Sequence, residues 1–134
     1  MSILSEAEAV SAGHALTLCD AYLDCLVRGD LEGVIALFAN NATVEDPVGT
    51  EVKSGEEALR AFYEVACTSI TAALREGPPR VAGTHIAFAF TATIGSGPEA
   101  MLIDIIDIFD CDAAGKIRSM RAYWGADNMR PVNS

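Results

Sequence analysis

The chain has 134 residues, with nine Lys and Arg against nineteen Asp and Glu, a formal net charge of −10. That length fits a single domain over residues 1–134, and 51% hydrophobic with 21% charged residues excludes wholesale disorder. The acidic balance excludes nucleic acid and anionic membrane surfaces as partners, because both need a basic patch.

Met1 to Ala9 carries Glu6 and Glu8 and no basic residue, so it does not read as a secretory signal. No apolar run reaches the roughly 18–20 residues of a membrane span. The expectation is a cytoplasmic protein. Ser5 and Glu8 form a capping-box pattern that opens a helix from about Glu6 to Arg28, with Ala15, Leu18, Tyr22, Cys25 and Leu26 on one stripe. Gly29 stops it, and Asp30 caps a short helix from Leu31 to Phe38. Asn40-Asn41 reads as a turn, Ala42 to Asp46 as a strand ended by Pro47, and Val48 to Gly55 as a loop. Ser54 with Glu57 repeats the capping box before a helix from Gly55 or Glu56 to Cys67 or beyond.

Gly77-Pro78-Pro79 changes the character of the chain. Arg80 to Phe90 and on to Ile94, Met101 to Asp110, and Ile117 to Trp124 read as strands joined by Gly95 to Pro98 and Asp112 to Gly115. Helices first and antiparallel strands after them define an α+β fold. The four cysteines form no CxxC pair and are expected as free, mostly buried thiols. His14 and His85 have no Cys or carboxylate at ligand spacing, so no metal site is expected.

The strand from Met101 to Asp110 is the most informative stretch. Ile103, Ile105, Asp107 and Phe109 share one face; Leu102, Asp104, Ile106, Ile108 and Asp110 share the other. Both faces are strongly apolar, which predicts cover on both sides. Asp107 therefore sits on an apolar face, where an unpaired carboxylate is costly and protonates instead. A protonated Asp can donate to an oxyanion; alternatively it pairs with an Arg or caps a backbone group. Tyr22 points inward from its stripe with a hydroxyl that needs a partner, and Asp46 shares the inward face of Ala42 and Val44. Three inward polar groups in an apolar setting read as a pocket.

Thr43-Val44-Glu45-Asp46-Pro47-Val48-Gly49 resembles the catalytic-base segment of the bacterial ketosteroid isomerases, the steroid Δ5-isomerases. Leu102 to Asp107 resembles their strand bearing a protonated aspartate, and Arg121-Ala122-Tyr123-Trp124 their last strand. Ala21-Tyr22 before Arg28-Gly29-Asp30 resembles the oxyanion-hole segment, and Ala61-Phe62-Tyr63 the pocket-tyrosine helix. The similarity runs from about Leu16 to Trp124 in the same order. It implies a curved antiparallel sheet wrapped by N-terminal helices into a cone, the cystatin-like or nuclear-transport-factor-like architecture, usually as a homodimer. The face of Leu102, Ile106 and Ile108 would suit burial against a second subunit.

By this resemblance Asp46 is the general base, while Tyr22 and neutral Asp107 donate to the 3-oxygen of a small apolar ketone, a steroid. That division of roles is the family's known chemistry, brought in by resemblance and not by periodicity. Phe62, Tyr63, Phe88, Phe90, Met120 and Trp124 would wall a flat hydrocarbon substrate. No metal or organic cofactor is implied, because the carbonyl is the electron sink. Phe38 stands where some members carry a second supporting tyrosine, and Tyr63 is the residue left to bond Tyr22. The competing readings are a polyketide cyclase, dehydratase or epoxide hydrolase on the same cone, or a non-catalytic binding or dimerisation module. Arg60 and Arg121 are the arginines available for an Asp-Arg-Asp arrangement of the epoxide hydrolase kind.

Overall fold

A computed structural model of the chain describes residues 9–132. The Ser5–Glu8 box lies outside them. Residues 9–11 are not helical, and Ser11 takes the cap: its backbone is extended and its hydroxyl accepts from the His14 amide at 3.0 Å. A cap of this kind contributes about 1 kcal/mol. The first helix, α1, therefore runs Ala12–Arg28 and not from Glu6. It ends as expected on Gly29, whose left-handed φ of 70° suits a residue without a side chain. Its buried stripe is Ala15, Leu18, Cys19, Tyr22, Leu23, Cys25 and Leu26.

Asp30 caps α2, Leu31–Ala36, through a 2.9 Å bond from the Gly33 amide. This helix stops before Phe38, because Phe38 opens β1, Phe38–Glu45, beside Ile117. Asn40 and Asn41 lie inside β1 rather than in a turn, exposed at an irregularity where the register slips between Phe38 and Thr43. The expected loop contains β2, Lys53–Ser54, paired with β1. Ser54 is therefore occupied in a strand, and α3, Glu56–Ser69, starts from Gly55 with no side-chain cap.

The chain passes straight from α3 into β3, Ile70–Arg75. The single run expected from Arg80 is cut by a turn at Gly83-Thr84 into β4, Arg80–Ala82, and β5, His85–Ile94. Then come β6, Met101–Cys111, β7, Ile117–Tyr123, and β8, Met129–Pro131. The main sheet order is β2-β1-β7-β6-β5-β3, with β4 on β5 and β8 on β6. β1 and β7 run parallel and every other pair is antiparallel, so the curved, open sheet is mixed. The α+β cone expected from the sequence is the fold observed.

One hydrophobic cluster joins the α1 stripe, Leu59 and Tyr63 of α3, and the inward residues of β1, β5, β6 and β7. On the outer face of the sheet Ile106 is 48% exposed and Tyr123 40%, so the described residues do not supply the expected cover on both sides of β6 at Ile106. No helix among the described residues is long and apolar enough to cross a membrane. Cys19, Cys25 and Cys111 are buried, Cys67 is half-buried, and all are free thiols.

Candidate active site

The inward face of β5, β6 and β7 is built by period-two alternation. Phe88 and Phe90 come from β5, Asp107 and Phe109 from β6, and Met120 and Ala122 from β7; all are buried. Asp107 lies in register with Phe88 on one side and Ala122 on the other. Only 2% of its surface is exposed, and its Oδ1 has no hydrogen-bond partner. No Arg pairs with it. Burial first, and the charge of Asp46 second, hold its carboxyl well above the usual carboxylate range. Burial thus favours its neutral form.

Tyr22 projects from α1 into the same space. Its ring meets Phe109 edge-on with centroids 5.1 Å apart, and its hydroxyl lies 2.8 Å from that of Tyr63 on α3. The Phe38 ring packs 5.4 Å from Tyr63 and 6.5 Å from Tyr22. Phe38 closes the tyrosine pair with carbon, so Tyr63 is the phenolic partner of Tyr22. Tyr63 thus makes the bond to Tyr22 that the absence of a tyrosine at Phe38 left to it. Burial pushes both phenols well above their ordinary range.

Asp46 follows β1 directly and stays on the face of buried Ala42 and Val44. It is half-buried, and its Oδ1 accepts from the Trp124 indole Nε1 at 2.8 Å. The parallel register Glu45↔Arg121 brings the end of β7 beside the end of β1 and so supplies Trp124. Burial raises the Asp46 carboxyl; the Trp124 bond and the charge of Lys53 pull it back. On the opposite face Glu45 accepts from Arg121 at 3.1 Å and from the Gly49 amide at 2.9 Å. These bonds tie down the turn after Asp46, where Gly49 adopts φ 102°.

The polar groups lie along a gradient. Tyr22, Tyr63 and Asp107 are dry, whereas Asp46, Phe62, Trp124 and Lys53 are partly wetted. Phe88 stacks on Phe90 with centroids 5.4 Å apart. The sequence pattern did not single out Lys53; its position opposite Val44 across β1 and β2 is the signal, and that needs the register. A cleft of about 920 Å³ lies elsewhere and is lined by residues including His14, His85, Asp112 and Arg118. His14 bonds the Gly115 carbonyl at 2.9 Å, and His85 approaches Asp110, so neither histidine joins Asp46. Arg60 is held on the surface by Glu32 and Glu56, and Arg121 by Glu45, so no arginine stands between Asp46 and Asp107.

The SnoaL-like domain family matches residues 19–120. The chain belongs to that family. SnoaL-like members share the nuclear-transport-factor-like cone, which agrees with the resemblance read from the residues. This SnoaL-like chain is 36% identical over 108 residues to the "Steroid Delta-isomerase" of Nocardioides simplex, covering 81% of the chain and 87% of that relative. It is 31% identical over 129 residues to "Epoxide hydrolase LasB" of Streptomyces lasalocidi, covering 75% of the chain but 44% of that relative. A solved structure titled for the epoxide hydrolase/cyclase-like enzyme SalBIII in pyran ring formation superposes with a TM-score of 0.80. The identity is 28%, with 89% of this chain and 96% of that chain covered. The comparisons support an isomerase-type SnoaL-like enzyme and leave the specific reaction to the chemistry of the site.

Proposed function

We propose that the protein is a steroid Δ-isomerase that moves the double bond of a 3-oxo-Δ5-steroid into conjugation without a metal or organic cofactor. Asp46 takes the proton from the carbon between the carbonyl and the alkene. The electron pair spreads onto the 3-oxygen as a dienolate, and Asp46 returns the proton two carbons further along. Tyr22 and neutral Asp107 donate to the developing oxyanion, and Tyr63 donates to Tyr22. Phe62, Phe88, Phe90, Met120 and Trp124 wall the hydrocarbon.

The observation that carries this reading is one inward face holding two carboxyls in unlike surroundings. Asp107 is dry and unpartnered, whereas Asp46 is partly wetted and steadied by an indole N–H and a cation. A base and an acid that coexist at one pH suit proton abstraction beside a carbonyl. Donors already fixed in a low-dielectric wall need no reorganisation as charge develops, which makes such a site effective. The curated isomerase relative supports the same chemistry.

A second reading comes from the epoxide-hydrolase relatives: Asp107 would protonate an epoxide oxygen while Asp46 activates water. The absence of an arginine between the two carboxyls favours the isomerase. The protein would act in the cytoplasm as a homodimer, with a second copy covering Ile106, Ile108 and Tyr123 on the outer sheet face. The test is enone absorbance after mixing purified protein with a 3-oxo-Δ5-steroid. Catalysed growth of that band supports the isomerase. Opening of a model epoxide with no enone formation would favour the second reading.

A further inference from the structure

Directly opposed residues of an antiparallel ladder share a face. Lys53 is opposed to Val44, which is fully buried, and Asp46 lies two residues beyond Val44 on that same inward face. Lys53 is half-buried, its Nζ stands 5.8 Å over the Phe62 ring, and it donates to the Glu51 carbonyl at 3.1 Å. Among the described residues it has no carboxylate ion-pair partner. The neighbouring arginines are committed elsewhere, Arg60 to Glu32 and Glu56 and Arg121 to Glu45 on the outer face. In a chain of net charge −10, this cation stands over a ring at the partly wetted end of the site without a carboxylate partner among the described residues.

We infer that Lys53 is the counter-charge of Asp46, a positioning residue held on the inward face by β2 and the Phe62 ring whose field favours the carboxylate form of the base. The remaining groups that face Asp46 cannot do this. From α1 and α3 come the phenols Tyr22 and Tyr63, from β6 the acid Asp107, which carries no positive charge in either form, and from the end of β7 the uncharged Trp124 indole. Glu45, on the same strand, points to the other face. The Coulomb contribution of Lys53 to Asp46 has the required sign and opposes the effect of burial. Lys53 acts through Asp46 and need not touch the substrate. The role deepens the proposed isomerase mechanism, yet it is measurable without any turnover.

The experiment is a carboxyl carbon NMR titration of full-length protein labelled in aspartate, with Asp46 assigned by its Asn variant. Wild type is compared with Lys53→Met, Lys53→Gln and Lys53→Arg, each checked for native circular dichroism. Loss of the charge should move the Asp46 midpoint to higher pH in both neutral variants, while Arg keeps the wild-type midpoint. The acid limb of enone formation should move in the same direction. An unchanged Asp46 midpoint in whichever neutral variant folds would overturn the role of Lys53. A shifted midpoint in a protein that forms no enone from a 3-oxo-Δ5-steroid would leave Lys53 in place and overturn the isomerase reading instead.

Discussion

The hydroxyls of Tyr22 and Tyr63 stand 2.8 Å apart with both rings shut away from water. Neither phenol ionises near neutral pH, so each is a donor. If Tyr63 donates to Tyr22, the Tyr22 proton is free for a substrate oxygen. Tyr22→Phe should then lower kcat by ~10²–10³-fold. Tyr63→Phe removes only a supporting neutral bond and should cost about tenfold. Paired kinetics of the two variants check the order; a Tyr63 variant worse than the Tyr22 variant would reverse it.

Asp46→Asn keeps the shape and the Trp124 contact but removes the base. Turnover should fall by roughly 10²–10⁴-fold, the usual contribution of a general base, while binding of a steroid product analogue is retained. Near-normal turnover with intact binding would remove Asp46 from the mechanism.

Asp107 links stability to pH. Its carboxyl is raised in the folded state, so folded and unfolded chains are both protonated below the ordinary Asp value near 4. As pH rises through that value the unfolded chain releases its proton and the folded chain does not. The residue's share of stability therefore falls, by up to a factor of about ten in the folding constant per pH unit, until the folded group titrates. Asp107→Asn should escape that loss and gain stability relative to wild type between pH 4 and 7 in urea titrations. In the rate, Asn keeps a donor and Leu does not, so the Leu variant should be the slower one. A wild-type difference that is flat with pH would mean an ionised Asp107.

Ile106 is 48% exposed on the outer face of β6. Wild type should scatter light with twice the mass of one chain, and Ile106→Asp should halve it. A monomeric wild type would leave that face without the second copy.

The inward placement of the candidate residues was readable in the sequence wherever alternation or helical spacing alone assigns a face. Asp107 between Ile105 and Phe109, Asp46 after Val44, and Tyr22 on the α1 stripe all lie where their spacing puts them. Roles that depend on partners were not readable. The bond from Trp124 to Asp46 requires the parallel pairing of β1 with β7, a long-range event that no local pattern encodes. Lys53 was hidden in an apparent loop because a two-residue strand has no periodicity to detect. Boundaries failed where one signal competed with another. Ser11 caps α1, Asn40-Asn41 was absorbed into an irregular strand, and Ser54 went to β2 instead of capping α3.

In the proposed mechanism one base, Asp46, carries one proton across one face of the substrate. The direct test places deuterium on the carbon between the carbonyl and the alkene of a 3-oxo-Δ5-steroid and locates it in the enone by mass spectrometry and NMR. Part of the label should be retained two carbons along, and that retention should disappear together with turnover in Asp46→Asn. Complete loss of label to water at every substrate concentration, or no enone at all, would contradict that mechanism.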